Sequence, residues 1–98
     1  MNEEQESQKQ EIKVRFPEQL QGGSYSNVMN VIHTKEEFVM DFMMIVPPVG
    51  TVTSRIIISP GHMKRMVAAL QENIKRYESK FGEIKIAQEP RGKIGFVK

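Results

Sequence analysis

The stretch from Val52 to Phe81 sets the limits on how this chain can fold. It reads as a β-strand, Val52-Thr53-Ser54-Arg55-Ile56-Ile57-Ile58, running through Ser59-Pro60 straight into a long helix. Ser59 suits a helix N-cap, because its hydroxyl can accept a bond from a free amide of the first turn. Pro60 then falls at the first helical position, where its missing N–H costs nothing. Gly82 stands just past the last apolar residue, as a left-handed cap would. Between them lie Met63, Met66, Val67, Leu70, Ile74, Tyr77 and Phe81, spaced by 3, 1, 3, 4, 3 and 4 residues. That spacing puts them on one helical face. The helix length is roughly 30 Å at about 1.5 Å per residue. A four-stranded sheet is only about 14–19 Å wide. A helix crossing such a sheet overhangs it, so Ile74, Tyr77 and Phe81 need cover from elsewhere.

The remaining strands follow from alternation. Glu11 to Phe16 puts Ile12, Val14 and Phe16 on one side and Glu11, Lys13 and Arg15 on the other. This predicts a half-buried edge strand, or an extended arm. Pro17 to Ser24 is a loop. Tyr25 to His33 is a second strand, with Val28 and Ile32 opposite Tyr25, Met29 and Val31. Thr34-Lys35-Glu36 is a turn. Glu37 to Val46 is the third strand, apolar on both faces except at Asp41, which predicts a central position. Pro47 to Gly50 is a loop by composition. Val52, Ile56 and Ile58 are expected on one face of the next strand. Ile84 and Ile86 suggest a short last strand.

The expected fold is α+β: an antiparallel meander of three to four strands packed against one long C-terminal amphipathic helix. The expected organisation is a disordered polar tail over 1–10, one compact domain over 11–88 and a mobile tail over 89–98. Ninety-eight residues make a single domain whose small core favours oligomerisation.

The run Tyr25-Ser26-Asn27 is followed by Glu37-Phe38-Val39-Met40-Asp41-Phe42. Next comes Ser54-Arg55-Ile56-Ile57-Ile58-Ser59-Pro60-Gly61-His62. Then come Ala69-Leu70-Gln71-Glu72-Asn73-Ile74, Tyr77-Glu78 and Phe81-Gly82. In this order the blocks resemble the small prokaryotic proteins of the domain of unknown function 3467 family, over about residues 12–86. The resemblance implies a compact α+β domain. It brings no activity and no assigned site residues.

Chemistry is sparse. The chain has no cysteine, which excludes disulfides and thiolate metal sites. His33 and His62 match no metal motif, and Ser59 beside His62 is better read as a cap than as a nucleophile. Neither a metal nor a cofactor is expected, and we expect no enzyme. Asp41 is the unusual residue: a carboxylate in an apolar strand must be paired or protonated. Arg55 on the neighbouring strand is the candidate for a structural ion pair.

The charge balance, 14 basic against 12 acidic residues, does not call for nucleic acid. Lys64, Arg65, Lys75, Arg76 and Lys80 read as a solvated helix face. Weak nucleic-acid binding there is an alternative use. No apolar run approaches a membrane span, so a cytoplasmic location is the expectation.

The two-faced central strand and the overhanging helix together point to a homo-oligomer, a dimer first, serving as an adaptor or protein-interaction module. Its expected interface is Met66, Leu70, Ile74, Tyr77 and Phe81. The seven methionines also suit a chaperone-like binder of extended segments, the second reading.

Overall fold

The computed structural model describes residues 9–97. The expected tail over 1–10 thus lies mostly outside the described residues, as does Lys98. A single 3₁₀ turn, Glu18–Leu20, precedes strands β1 (Val28–His33), β2 (Phe38–Val46) and β3 (Val49–Ile58), and helix α1 (Pro60–Phe81) follows. The strands form one antiparallel sheet in the order β1-β2-β3. The fold is therefore the predicted one: a three-stranded antiparallel meander packed against one long C-terminal helix.

Local chemistry explains each joint. At the β1–β2 turn the Thr34 hydroxyl accepts from the amides of Glu36 and Glu37, at 3.1 and 3.2 Å. The Thr34 amide donates to the Glu37 carbonyl at 2.9 Å and closes the turn. The β2–β3 connection is tighter than composition suggests. Strand β3 begins at Val49, so only Pro47 and Pro48 form the turn. Gly50 belongs to the strand, opposite Ile45. A β-carbon at Gly50 would stand 2.9 Å from Ile45 Cγ1, so the close approach of the strands needs glycine there.

The pairing of β2 with β3 is interrupted by a bulge. Phe42 pairs with Ser54 but Met43 pairs with Val52, leaving Thr53 as the extra residue. The Thr53 hydroxyl donates to the Phe42 carbonyl at 3.1 Å, which ties the bulge down. The bulge reverses the facing of everything before it. Ile56 and Ile58 share a face with Met40 and Phe38, whereas Val52 lies with Met43 on the opposite face. This corrects the expectation that Val52, Ile56 and Ile58 share one face. Simple alternation carries no signal for an inserted residue.

Two predicted strands do not form. Residues 11–16 and 84–86 have no regular strand structure among the described residues. The walls of one surface groove are Gln19, Leu20, Gly23, Ser24 and Ser26 against Phe42, Thr53 and Ser54. These loop residues thus lie near Phe42 and Ser54, on the first sheet face, which also carries Met40 and Ile56. Farther on, Ser26 Oγ donates to the Met43 carbonyl, and the Asn27 amide group bonds both the carbonyl and the amide of Ile45, at 2.8 and 2.9 Å. These bonds extend the β1–β2 ladder by side chain.

The helix is capped as its sequence predicts. Ser59 Oγ accepts from the His62 amide at 3.2 Å, Pro60 opens the first turn, and Gly82 ends the helix at φ 97°. Its amide donates to the Glu78 carbonyl at 2.9 Å. The core sits on β2: Met40 and Met43 are buried, with Val28 of β1 beside them. No helix residue is buried. Met63 and Met66, near its start, are half-buried.

Candidate interaction surface

The second sheet face carries the ion pair. Asp41 and Arg55 are direct cross-strand partners. Arg55 Nε donates to Asp41 Oδ1 at 2.6 Å and Nη2 to Oδ2 at 2.9 Å, a two-pronged arrangement. The carboxylate is 4 % exposed, while the arginine side chain remains largely in solvent. The hydrogen bonds from Arg55 hold the Asp41 carboxyl below its ordinary value of 3.8. Burial pushes it the other way, and the arginine charge adds to the lowering. Both oxygens of the carboxylate are thus engaged by the one guanidinium.

The sign of its pH dependence follows. A carboxyl whose folded pKa lies below its unfolded value stabilises the fold above the unfolded value, and that contribution is lost as pH falls through the folded one. Stability is therefore expected to fall off below about pH 4 in the native chain. Arg55→Met should raise the Asp41 pKa and so shrink or reverse that acid loss, because the folded value then approaches or passes the unfolded one. A titration of the Asp41 carboxyl carbon by NMR reads the shift directly. An unmoved pKa in Arg55→Met would remove the pairing as its cause.

The other candidates do not converge. His33 ends β1 and stacks on Phe38, with centroids 5.4 Å apart. His62 sits in the first helical turn, where Arg65 Nη2 lies 3.3 Å from its Nδ1. Among the described residues no group of three or more His, Asp or Glu side chains gathers as metal ligands. Ser59 is occupied as the cap. On the basic helix face, Arg76 pairs with Glu72 at 3.4 Å and Lys80 lies over the Phe81 ring.

The molecule does, however, present a large apolar surface. On helix α1, Val67, Leu70, Ile74, Tyr77 and Phe81 are each 42–66 % exposed. Met66 is half-buried at the sheet end of the same stripe. Tyr77 and Phe81 pack against each other, one turn apart, at 5.0 Å between centroids. The predicted interface residues thus form one continuous open stripe. The sheet adds to it: Met29, Val31 and Ile56 on the first face and Ile32, Val52 and Ile57 on the second are all about half-exposed.

A second groove, of about 640 Å³, opens on the second face. Val28, Met43, Val52 and the Pro47-Pro48 turn line one wall, and residues 89–97 line the other. The C-terminal segment therefore passes over the sheet at the β2–β3 turn. Its own apolar residues, Ile94 and Phe96, stay largely exposed. Sequence analysis assigns 89–98 to a mobile tail, and the apolar Ile94, Phe96 and Val97 lie close together in it.

These features define a small α+β protein with a large, open apolar surface. The chain belongs to the family described as protein of unknown function (DUF3467), which matches residues 1–86. No curated protein and no solved structure gives a significant match. No helix among the described residues is long and apolar enough to cross a membrane.

Proposed function

We propose that the protein is a non-enzymatic, homo-oligomeric adaptor, a protein-interaction module assembled through the open face of α1. The observation that carries this reading is the surface the single chain leaves uncovered. Its accessible area is 9704 Å². A compact monomer of its mass exposes about 5,700 Å². The radius of gyration is 18.1 Å, against about 12.6 Å for a compact domain of this length. Part of the excess belongs to the extended ends. The exposed stripe of α1 is not an end effect, because it lies on a regular helix of 22 residues. An obligate homodimer buries about 1,000–2,500 Å² per partner, which the excess of about 4,000 Å² per chain covers even after the extended ends take their share. Isologous packing of two stripes covers Leu70, Ile74, Tyr77 and Phe81 with their own copies, as closed two-fold symmetry requires.

Solution mass is the test. Sedimentation at micromolar concentration should give twice the chain mass of 11.3 kDa, or a higher multiple. A monomer at high micromolar concentration removes the reading.

The half-exposed sheet edges support a second use, the capture of extended polypeptide by strand addition. That reading predicts slower aggregation of a denatured client at equimolar protein, and an unchanged aggregation rate removes it.

A further inference from the structure

We infer that arm exchange reinforces the α1 contact of the oligomer: residues 11–16 of each copy add as a strand along the free edge of β1 in a second copy. The inference rests on the homo-oligomeric reading and says how the copies engage. The arm has the pattern of a half-buried strand, yet Ile12, Val14 and Phe16 are 83, 84 and 64 % exposed. Among the described residues no backbone hydrogen bond joins it to the sheet. A strand-patterned segment without a ladder has unpaired amides and an uncovered apolar side, and pairing with a sheet edge removes both.

The arm is rooted at a loop whose Gln19, Leu20 and Gly23 line a groove with Phe42 of β2 and Ser54 of β3. The β1 edge lies on the far side of β2. Fully extended, the arm reaches about 20 Å from that root, enough to leave its own protomer.

Of the two edges a partner presents, β1 is the receptive one. Strand β3 is kinked at Thr53 by its bulge and carries Arg55, two devices that discourage edge pairing. Strand β1, Val28-Met29-Asn30-Val31-Ile32-His33, has no bulge, proline or lysine. Its 6 residues match the length of the arm. Its Met29, Val31 and Ile32 are each about half-exposed, and an added strand would cover them from the side. The arm would supply Ile12, Val14 and Phe16 to one face and Glu11, Lys13 and Arg15 to the other.

Amide exchange resolved by residue, on the full chain, tests this together with solution mass. Every second amide over 11–16 and the outward-pointing amides of β1 should be protected at concentrations where the chain is oligomeric, and should lose protection on dilution to monomer. Val14→Pro cannot join a ladder. It should weaken association about tenfold or more while leaving the far-ultraviolet circular dichroism of the protomer unchanged, because the arm makes no ladder with its own sheet. An oligomer whose arm amides exchange as freely as an unstructured peptide overturns the arm exchange and leaves the oligomer standing. Protection of β3 rather than β1 amides, or protection that persists in the monomer, overturns it as well. A chain that is monomeric throughout removes both readings together.

Discussion

Ile74→Asp is expected to reduce the oligomer to monomers. Ile74 lies at the centre of the open stripe of α1 and is 49 % exposed in the single chain. In a two-fold contact each substitution counts twice, since both copies place the carboxylate in the interface. Burying an ionised carboxylate without a partner costs several kcal/mol. The dissociation constant should therefore rise by at least about two orders of magnitude. The protomer itself should keep its fold, because α1 buries no residue against its own sheet. Leu70→Ala sharpens the contrast. Were Leu70 buried in its own chain, the change would cost about 2–5 kcal/mol at any concentration. It is 55 % exposed, so the cost should appear only where the oligomer is populated. Unfolding midpoints followed against protein concentration separate the cases. A midpoint in Ile74→Asp with native concentration dependence would show that the stripe is not the contact.

Met40→Ala is expected to destabilise the protomer by about 2–5 kcal/mol. Met40 is 2 % exposed at the centre of β2, between Val31 and Ile56. A domain of this size has about 5–15 kcal/mol in total, and here the buried apolar core among the described residues is Val28, Met40 and Met43. No comparable side chain can move in to fill the space a methionine leaves. Ile86→Ala is the control: Ile86 is 96 % exposed and should change stability by less than about 0.5 kcal/mol. Urea unfolding measured at fixed protein concentration reads both. A change below about 1 kcal/mol in Met40→Ala would mean that β2 is not the centre of the core.

The two variants probe different surfaces for a physical reason. In this chain the sheet holds a thin core around one strand, and the helix holds its apolar residues in reserve. A small chain with so little buried has a weak balance of burial against chain entropy. The association proposed above would supply the missing burial. The family match extends over residues 1–86 and so takes in the arm, the sheet and the helix.

The elements with local causes were legible in the sequence. Helix α1 could be read residue by residue, because its cap, its proline, its terminal glycine and its stripe all act within a turn or two of the chain. The central place of β2 was legible because a strand apolar on both faces has only one comfortable position. The Asp41–Arg55 pair was legible for a related reason: a buried carboxylate needs a cation, and the adjacent strand offered one. What the sequence could not settle depends on contacts between distant residues. The bulge at Thr53 exists because β3 must match β2 on both sides of Phe42, and it moved Val52 to the other face. Residues 11–16 alternate as a strand does, but pairing needs a neighbouring edge, and alternation does not name one; the arm bonds to none among the described residues. The helix stripe shows the division most plainly. Its periodicity says that one face will be buried, and only the tertiary structure shows that its own sheet does not bury it. Periodicity records a need for cover without naming what provides it.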